Sequence, residues 1–278
     1  MHVDEGTLPP ETHIGRTALT VSVLTEMTDF YRDAVGLSVL SHDDTTAVLG
    51  VEGTPLLVLE HDPGAPTRHR SGTGLFHNAF RVPSRAALGD ALARVREHWQ
   101  LGGASDHGVS EALYLADPEG NGIEIYRDYP REDWPRDDGR IRMVTNHLNL
   151  VSVDAAGAGA SSVPAGTDVG HVHLEVSSLA AFSDFYVETV GFDVQTEIPA
   201  ALFVAAGGYH HHIAANTWNH RSNPVESRGL SWFEVVLPNR DALEMIRERT
   251  ADSQYSVTET DEEFAVTGPD EIEVRFRA

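Results

Sequence analysis

The sequence predicts an α+β protein made of four βαβββ modules in two tandem copies, and three observations carry that expectation. The first is an internal repeat at a constant offset of 155 residues. Ile14-Gly-Arg-Thr-Ala-Leu19, followed by Thr28-Asp-Phe-Tyr-Arg-Asp-Ala-Val-Gly-Leu37, returns as Val169-Gly-His-Val-His-Leu174, followed by Ser183-Asp-Phe-Tyr-Val-Glu-Thr-Val-Gly-Phe192. Gly15, Leu19, Val21, Leu24, Asp29, Phe30, Tyr31, Val35 and Gly36 all recur, and the same offset carries Pro83 onto Pro238 and Leu88 onto Leu243. Self-similarity at a fixed period marks a duplicated structural unit. The second observation is that each copy divides again, opening with an apolar strand, passing through a helical pattern and closing in strand-like runs. The third is a dense hairpin signal late in the first copy, described below.

Taken in order, residues 12–128 form the first domain, with modules at 12–61 and 72–128, and residues 168–278 form the second, with modules at 168–218 and 228–278. Helices are expected at Leu24 to Val35, Arg85 to His98, Leu179 to Val190 and Asp241 to Thr250. In the second of these, Leu88, Leu92 and Val95 keep the spacing of one helical face, and Ser84 is placed to cap the N-terminus. Residues 129–167 carry Pro130, Pro135 and the run Ala155-Ala-Gly-Ala-Gly-Ala-Ser-Ser162. They read as a surface linker with one strand at Met143 to Val151.

Composition narrows the function classes. The 278 residues are 41% hydrophobic, enough for a sizeable core. No apolar run approaches the ~20 residues of a membrane span, and the opening residues lack the basic and apolar regions of a secretory signal. Without cysteine, any metal must rest on nitrogen and oxygen ligands. These features point to the cytoplasm. Asp and Glu number 43 against 20 basic residues, all arginine, for a net charge of −23. So acidic a surface repels nucleic-acid phosphates and fits a protein kept soluble in concentrated salt. The composition is compatible with a homo-oligomer.

The chemistry concentrates in His107-Gly-Val-Ser-Glu-Ala-Leu-Tyr-Leu-Ala-Asp-Pro-Glu-Gly-Asn-Gly-Ile-Glu124. Leu113-Tyr-Leu115 reads as a strand, Asp117-Pro-Glu-Gly-Asn-Gly122 as a turn, and Ile123-Glu-Ile-Tyr126 as a second strand. Alternation sets Glu124 and Tyr126 opposite Ile123 and Ile125. A solvent-facing glutamate would be ordinary for an arbitrary hairpin. This segment, however, resembles the signature of the extradiol ring-cleavage dioxygenases, with one departure at Ser105, where that signature has glycine, asparagine, threonine or a branched residue. Together with Gly74-Leu-Phe-His77, Gly170-His-Val-His-Leu174 and Gly207-Gly-Tyr-His-His-His212, it makes nearly the whole chain similar to the vicinal-oxygen-chelate superfamily. That superfamily includes glyoxalase I, bleomycin-resistance proteins and extradiol dioxygenases, and the chain most resembles two-domain catechol 2,3-dioxygenases.

The resemblance implies modules paired as half-barrels around a metal, Fe(II) or alternatively Mn(II), with a catecholic substrate and O2. Its first-strand ligand position falls on Arg16, His77, His171 and Trp232, and its last-strand carboxylate on Glu124 and Glu273. Pairing the second module with the third completes a two-histidine, one-carboxylate set of His77, His171 and Glu124. His173 shares a strand face with His171 and is the alternative to it. The family's acid–base histidine maps onto His212, with His210 as the alternative, on the expectation that His210-His-His212 lies within a strand. His107 and Tyr114 inherit hydrogen-bonding roles toward substrate. A glyoxalase-type isomerase and a non-catalytic resistance-type binding protein are the rival readings.

Overall fold

The computed structural model describes residues 7–225, 227–251, 253–260 and 264–278. Residues 1–6, on which the reading of no secretory signal partly rests, lie outside them. The chain divides into two compact units, residues 1–17, 66–76 and 171–278, and residues 18–65 and 77–170. Among the described residues there are nineteen strands and five α-helices, all but three short strands and one helix between the copies falling in the four-module pattern. The first module runs β1 (His13–Val21), α1 (Leu24–Phe30), β2 (Ser38–His42), β3 (Thr46–Val51) and β4 (Thr54–His61). The second runs β5 (Gly74–Arg81), α2 (Arg85–His98), β6 (Gly103–Asp106), β7 (Ser110–Ala116) and β8 (Gly122–Asp128). Between the copies lie β9 (Arg136–Asp137), β10 (Arg140–Ile141), β11 (Asn146–His147) and α3 (Leu150–Asp154). The third module is β12 (Asp168–Glu175), α4 (Leu179–Ser183), β13 (Asp193–Ile198), β14 (Ala201–Ala205) and β15 (Ile213–Asn216). The fourth is β16 (Gly229–Val236), α5 (Arg240–Ala251), β17 (Ser256–Glu259), β18 (Phe264–Thr267) and β19 (Glu273–Arg277).

Two large sheets result. One has eight strands in the order β17-β18-β19-β16-β1-β4-β3-β2, the other nine in the order β11-β6-β7-β8-β5-β12-β15-β14-β13. The nine-stranded sheet thus takes its strands mainly from the second and third modules, the eight-stranded one from the first and fourth. Within a module the last strand returns parallel to the first, as in β5 with β8, β12 with β15 and β16 with β19. A parallel neighbour cannot be reached by a tight turn, so the helix and two intervening strands make the crossover. That topology lays first-strand and last-strand side chains next to each other, and it is what assembles the site.

Local sequence accounts for the elements. The Ser84 hydroxyl accepts from the Ala87 amide and starts α2, whose Leu88, Leu92 and Val95 are fully buried. The expected helices at Leu24 to Val35 and Leu179 to Val190 hold their full span, but each passes from α into π geometry, at Tyr31–Val35 and Asp184–Val190. Each stops at a glycine in left-handed conformation, Gly36 (φ 91°) and Gly191 (φ 101°), which explains why that glycine recurs in the repeat. The expected strand at Met143 to Val151 shrinks to Asn146–His147, because the Asn149 side chain accepts from the Ser152 amide and begins α3. Trp134, Ile141, Leu148, Val153 and Val163 in this segment are buried.

Candidate metal and active site

His77 lies on β5 and Glu124 on β8, in a register that sets Ala79 opposite Glu124 and leaves His77 two residues away on the same face. His77 Nε2 is 3.1 Å from Glu124 Oε2. On the other side of β8, Tyr114 of β7 stands directly across from Glu124. Burial and the neighbouring Glu124 carboxylate push the Tyr114 phenol up, so it stays a neutral hydroxyl donor near neutral pH. His107, just before β7, completes the row. Its Nε2 is 2.7 Å from the Tyr114 hydroxyl and its Nδ1 is 2.7 Å from the Val144 carbonyl oxygen. A carbonyl can only accept, so Nδ1 donates to it, and in the tautomer with its proton on Nδ1 the Nε2 atom accepts from Tyr114.

On β12, His171 and His173 are both buried. One ligand atom from each of His77, Glu124 and His171 lies within 4.8 Å of the others. Two imidazole nitrogens and one carboxylate oxygen, all buried, can hold a divalent transition metal and leave coordination positions open. His173 is engaged elsewhere. Its Nε2 accepts from the Asn216 side-chain amide at 3.1 Å, and Phe76, Phe203 and Trp218 surround its ring at 4.9–5.9 Å.

The three consecutive histidines correct the sequence-based expectation of a strand. They lie in the turn that precedes β15, which begins only at Ile213. Gly207 (φ 60°) and Gly208 (φ 66°) take left-handed conformations that end the extended run after β14. Strict alternation therefore does not apply, and the faces differ from those expected. His211 is the ring that packs on His171, at 4.1 Å between centroids, and it also meets Phe203 at 5.2 Å. His210 is 6.1 Å from His171, with its Nδ1 2.8 Å from Nδ1 of His211. His212 packs with Tyr209 and Phe192, and its Nδ1 accepts from the Ala206 amide. His211, which the sequence did not single out, is thus the histidine of the three that packs closest to His171. The Gly207-Gly208 pair was the signal that could have found it.

The corresponding positions of the first and fourth modules are occupied differently. The Arg16 and Arg275 guanidiniums lie 5.3 and 4.0 Å from the Trp232 ring, while Glu273 pairs with Arg275 and Glu234 with Arg16. The carboxylates here are matched by arginine.

A family model for the Glyoxalase/Bleomycin resistance protein/Dioxygenase superfamily matches residues 13–125. Over 269 residues, covering 93% of this chain and 94% of the relative, the sequence is 42% identical to a Catechol-2,3-dioxygenase of Bacillus subtilis (strain 168). The chain belongs to this superfamily. Solved structures of superfamily likeness share its fold. Glyoxalase I of Zea mays aligns over 96% of this chain and 92% of its own with a TM-score of 0.58 at 12% identity. A protein of Bacillus subtilis subsp. subtilis str. 168 aligns over 97% and 86% with a TM-score of 0.65 at 13% identity. No helix among the described residues is long and apolar enough to cross a membrane.

Proposed function

We propose that this chain is an extradiol dioxygenase that opens the ring of catechol, or of a substituted catechol, beside its two hydroxyls. Both atoms of O2 enter the product, a 2-hydroxymuconic semialdehyde or its substituted analogue, and no external reductant is consumed. The observation that carries the reading is the buried gathering of His77, Glu124 and His171 beside the Tyr114–His107 pair. The identity to a relative named for this activity supports it.

His77, His171 and Glu124 would hold the metal, and this donor set suits Fe(II), with Mn(II) as the alternative. When bound, the metal would supply Lewis-acid activation of the diol and a meeting place for O2. The chain's own groups do the rest. Tyr114, kept protonated, would turn its single hydroxyl proton from His107 Nε2 to a catecholate oxygen, and His107, its tautomer set by the Val144 carbonyl, holds Tyr114 in place until then. A base is needed to take the second diol proton and return it to the leaving oxygen, and an imidazole with an ordinary value near ~6.5 suits both directions. We assign this to His211 in place of His212, because His211 lies against His171 whereas His212 is turned into the Tyr209–Phe192 packing. The composition supports an enzyme working in the cytoplasm at high salt, with no nucleic-acid partner.

The test is aerobic catechol turnover by the iron-reconstituted protein. A yellow semialdehyde is expected, and a colourless muconate, or isomerisation of the glutathione–methylglyoxal adduct in its place, would overturn the reading. His211→Ala should keep its iron and lose ~100-fold or more in kcat. Loss of turnover in iron-replete His212→Ala, with His211→Ala unaffected, would return the role to His212.

A further inference from the structure

The duplicated chain provides its own control for what the site needs. In both copies the turn before the last strand docks on the helix of the preceding module through a carboxylate. Glu119 Oε1 accepts from the Ser22 amide at 2.7 Å, and Asp270 Oδ2 accepts from the Ser177 amide at 3.0 Å. Ser22 and Ser177 are repeat partners at the 155-residue offset, so this contact belongs to the shared fold.

A second contact exists in only one copy. The Tyr31 hydroxyl, fully buried, donates to Asp117 Oδ2 at 3.0 Å. The same carboxylate organises the turn, because Oδ1 accepts from the Glu119 and Asn121 amides and Oδ2 from the Asn121 side chain. In the other copy the tyrosine is retained as Tyr186, yet its buried hydroxyl has no hydrogen-bond partner among the described residues. The turn there begins Thr267-Gly-Pro-Asp270, with Gly268 preceding proline as Asp117 does in the first copy. A Cβ on Gly268 would fall 2.7 Å from the Phe185 ring, so no aspartate fits. The copy lacking the Tyr–Asp bond ends in Glu273, neutralised by Arg275, and the copy that keeps it ends in Glu124.

We infer that the Tyr31–Asp117 hydrogen bond positions the β7–β8 hairpin, and through it Glu124 and Tyr114, for metal and substrate, a role separate from holding the fold. Tyr31 and Asp117 are positioning residues, since neither touches the ligand set. The inference rests on the proposed metal site and deepens it. A hairpin tied at its turn by two anchors has less freedom to swing than one tied by Glu119 alone, and groups that only orient a ligand commonly alter metal affinity ~10–100-fold.

The experiment compares Tyr31→Phe with Tyr186→Phe in the full chain, each losing one hydroxyl. Anaerobic Co(II) titration followed by visible absorption gives Kd, catechol turnover of the iron-loaded forms gives kcat and KM, and a thermal melt of each metal-free form reports the fold. Tyr31→Phe is expected to raise the Co(II) Kd ~10-fold and lower kcat, with Tyr186→Phe leaving both unchanged whatever its melting temperature. Asp117→Asn should track Tyr31→Phe. Equal shifts in the two tyrosine variants, an unchanged Kd in Tyr31→Phe, or failure of Tyr31→Phe alone to fold would each overturn the inference. Wild-type protein that takes up no Co(II) would instead sink the underlying metal-site reading.

Discussion

Glu124 occupies the face of a hairpin strand where solvent would normally be found, yet it is buried against His77 and across from Tyr114. A buried carboxylate is costly unless a cation or hydrogen bonds balance it. Replacing Glu124 or His77 with alanine should therefore remove bound iron, weakening affinity by more than ~100-fold, the upper range for outer partners that do not ligate. Metal content after anaerobic reconstitution reads this directly, and full occupancy in Glu124→Ala would exclude it as a ligand. Asp117 behaves differently, because among the described residues its partners are neutral: the Tyr31 hydroxyl, the Asn121 side chain and two backbone amides. Burial raises its carboxyl to about 6, against hydrogen bonds from Asn121, Tyr31 and the Glu119 amide that favour the ionised form. The folded chain thus holds this proton more tightly than the unfolded chain. The associated stability is fully present below the unfolded value near ~3.9 and is lost as pH rises through about 6. Asp117→Asn removes the titration, so its stability deficit relative to wild type should be larger at pH 4 than at pH 7. Denaturant melts at the two pH values check the sign, and a deficit larger at pH 7 would refute it.

At the scale of elements, β12 shows why the repeat keeps a glycine before Arg16 and before His171. A Cβ at Gly170 would lie 1.8 Å from the Tyr126 hydroxyl oxygen, and one at Gly15 would lie 2.2 Å from a Glu234 carboxylate oxygen. The first is an approach from β8 across the intervening β5 and the second an approach between the adjacent β16 and β1, and in each even one methyl group overlaps. Gly170→Ala should force Tyr126 or β12 to move, costing ~1–3 kcal/mol in urea unfolding. Because His171 is the next residue, metal affinity should fall with it. An alanine variant with wild-type stability and metal content would show that this packing tolerates a shift. The π turns at Tyr31–Val35 and Asp184–Val190 belong to the same scale, and Tyr31, which opens the first of them, donates to the Asp117 carboxylate that organises the hairpin turn.

Over the whole molecule, charge governs the response to salt. With 43 acidic residues against 20 arginines, the folded chain concentrates 23 excess negative charges. Unfolding separates them, so repulsion favours the unfolded chain at low ionic strength. The screening length is ~30 Å at 0.01 M salt and ~3 Å at 1 M, which confines repulsion to near neighbours in the second case. The melting temperature of the iron-loaded protein should climb with KCl and keep rising into the molar range. Comparing chloride with sulfate separates screening from strengthened apolar burial. A flat midpoint between low and molar salt would show that the acidic surface is no salt adaptation.

The duplication, the four-module order and the α2 boundaries were legible in the sequence, because each rests on short stretches of chain and their spacing. Repeat spacing, helical periodicity, the Ser84 cap and the signature around His107 to Glu124 are properties of short stretches of chain. Strand alternation likewise separated Glu124 from its apolar neighbours. Three features needed tertiary structure. Which modules share a sheet depends on pairing between strands far apart in the chain, and no local propensity encodes it. Which of three adjacent histidines meets His171 depended on the Gly207-Gly208 turn, whose positive φ angles broke the alternation and handed the position to His211. The surroundings of His171 and His173 come from other elements: Asn216, Phe76, Phe203 and Trp218 contact His173, while His171 lies with His77 and Glu124. Sequence periodicity specifies the face a residue occupies, but only packing decides what waits on that face.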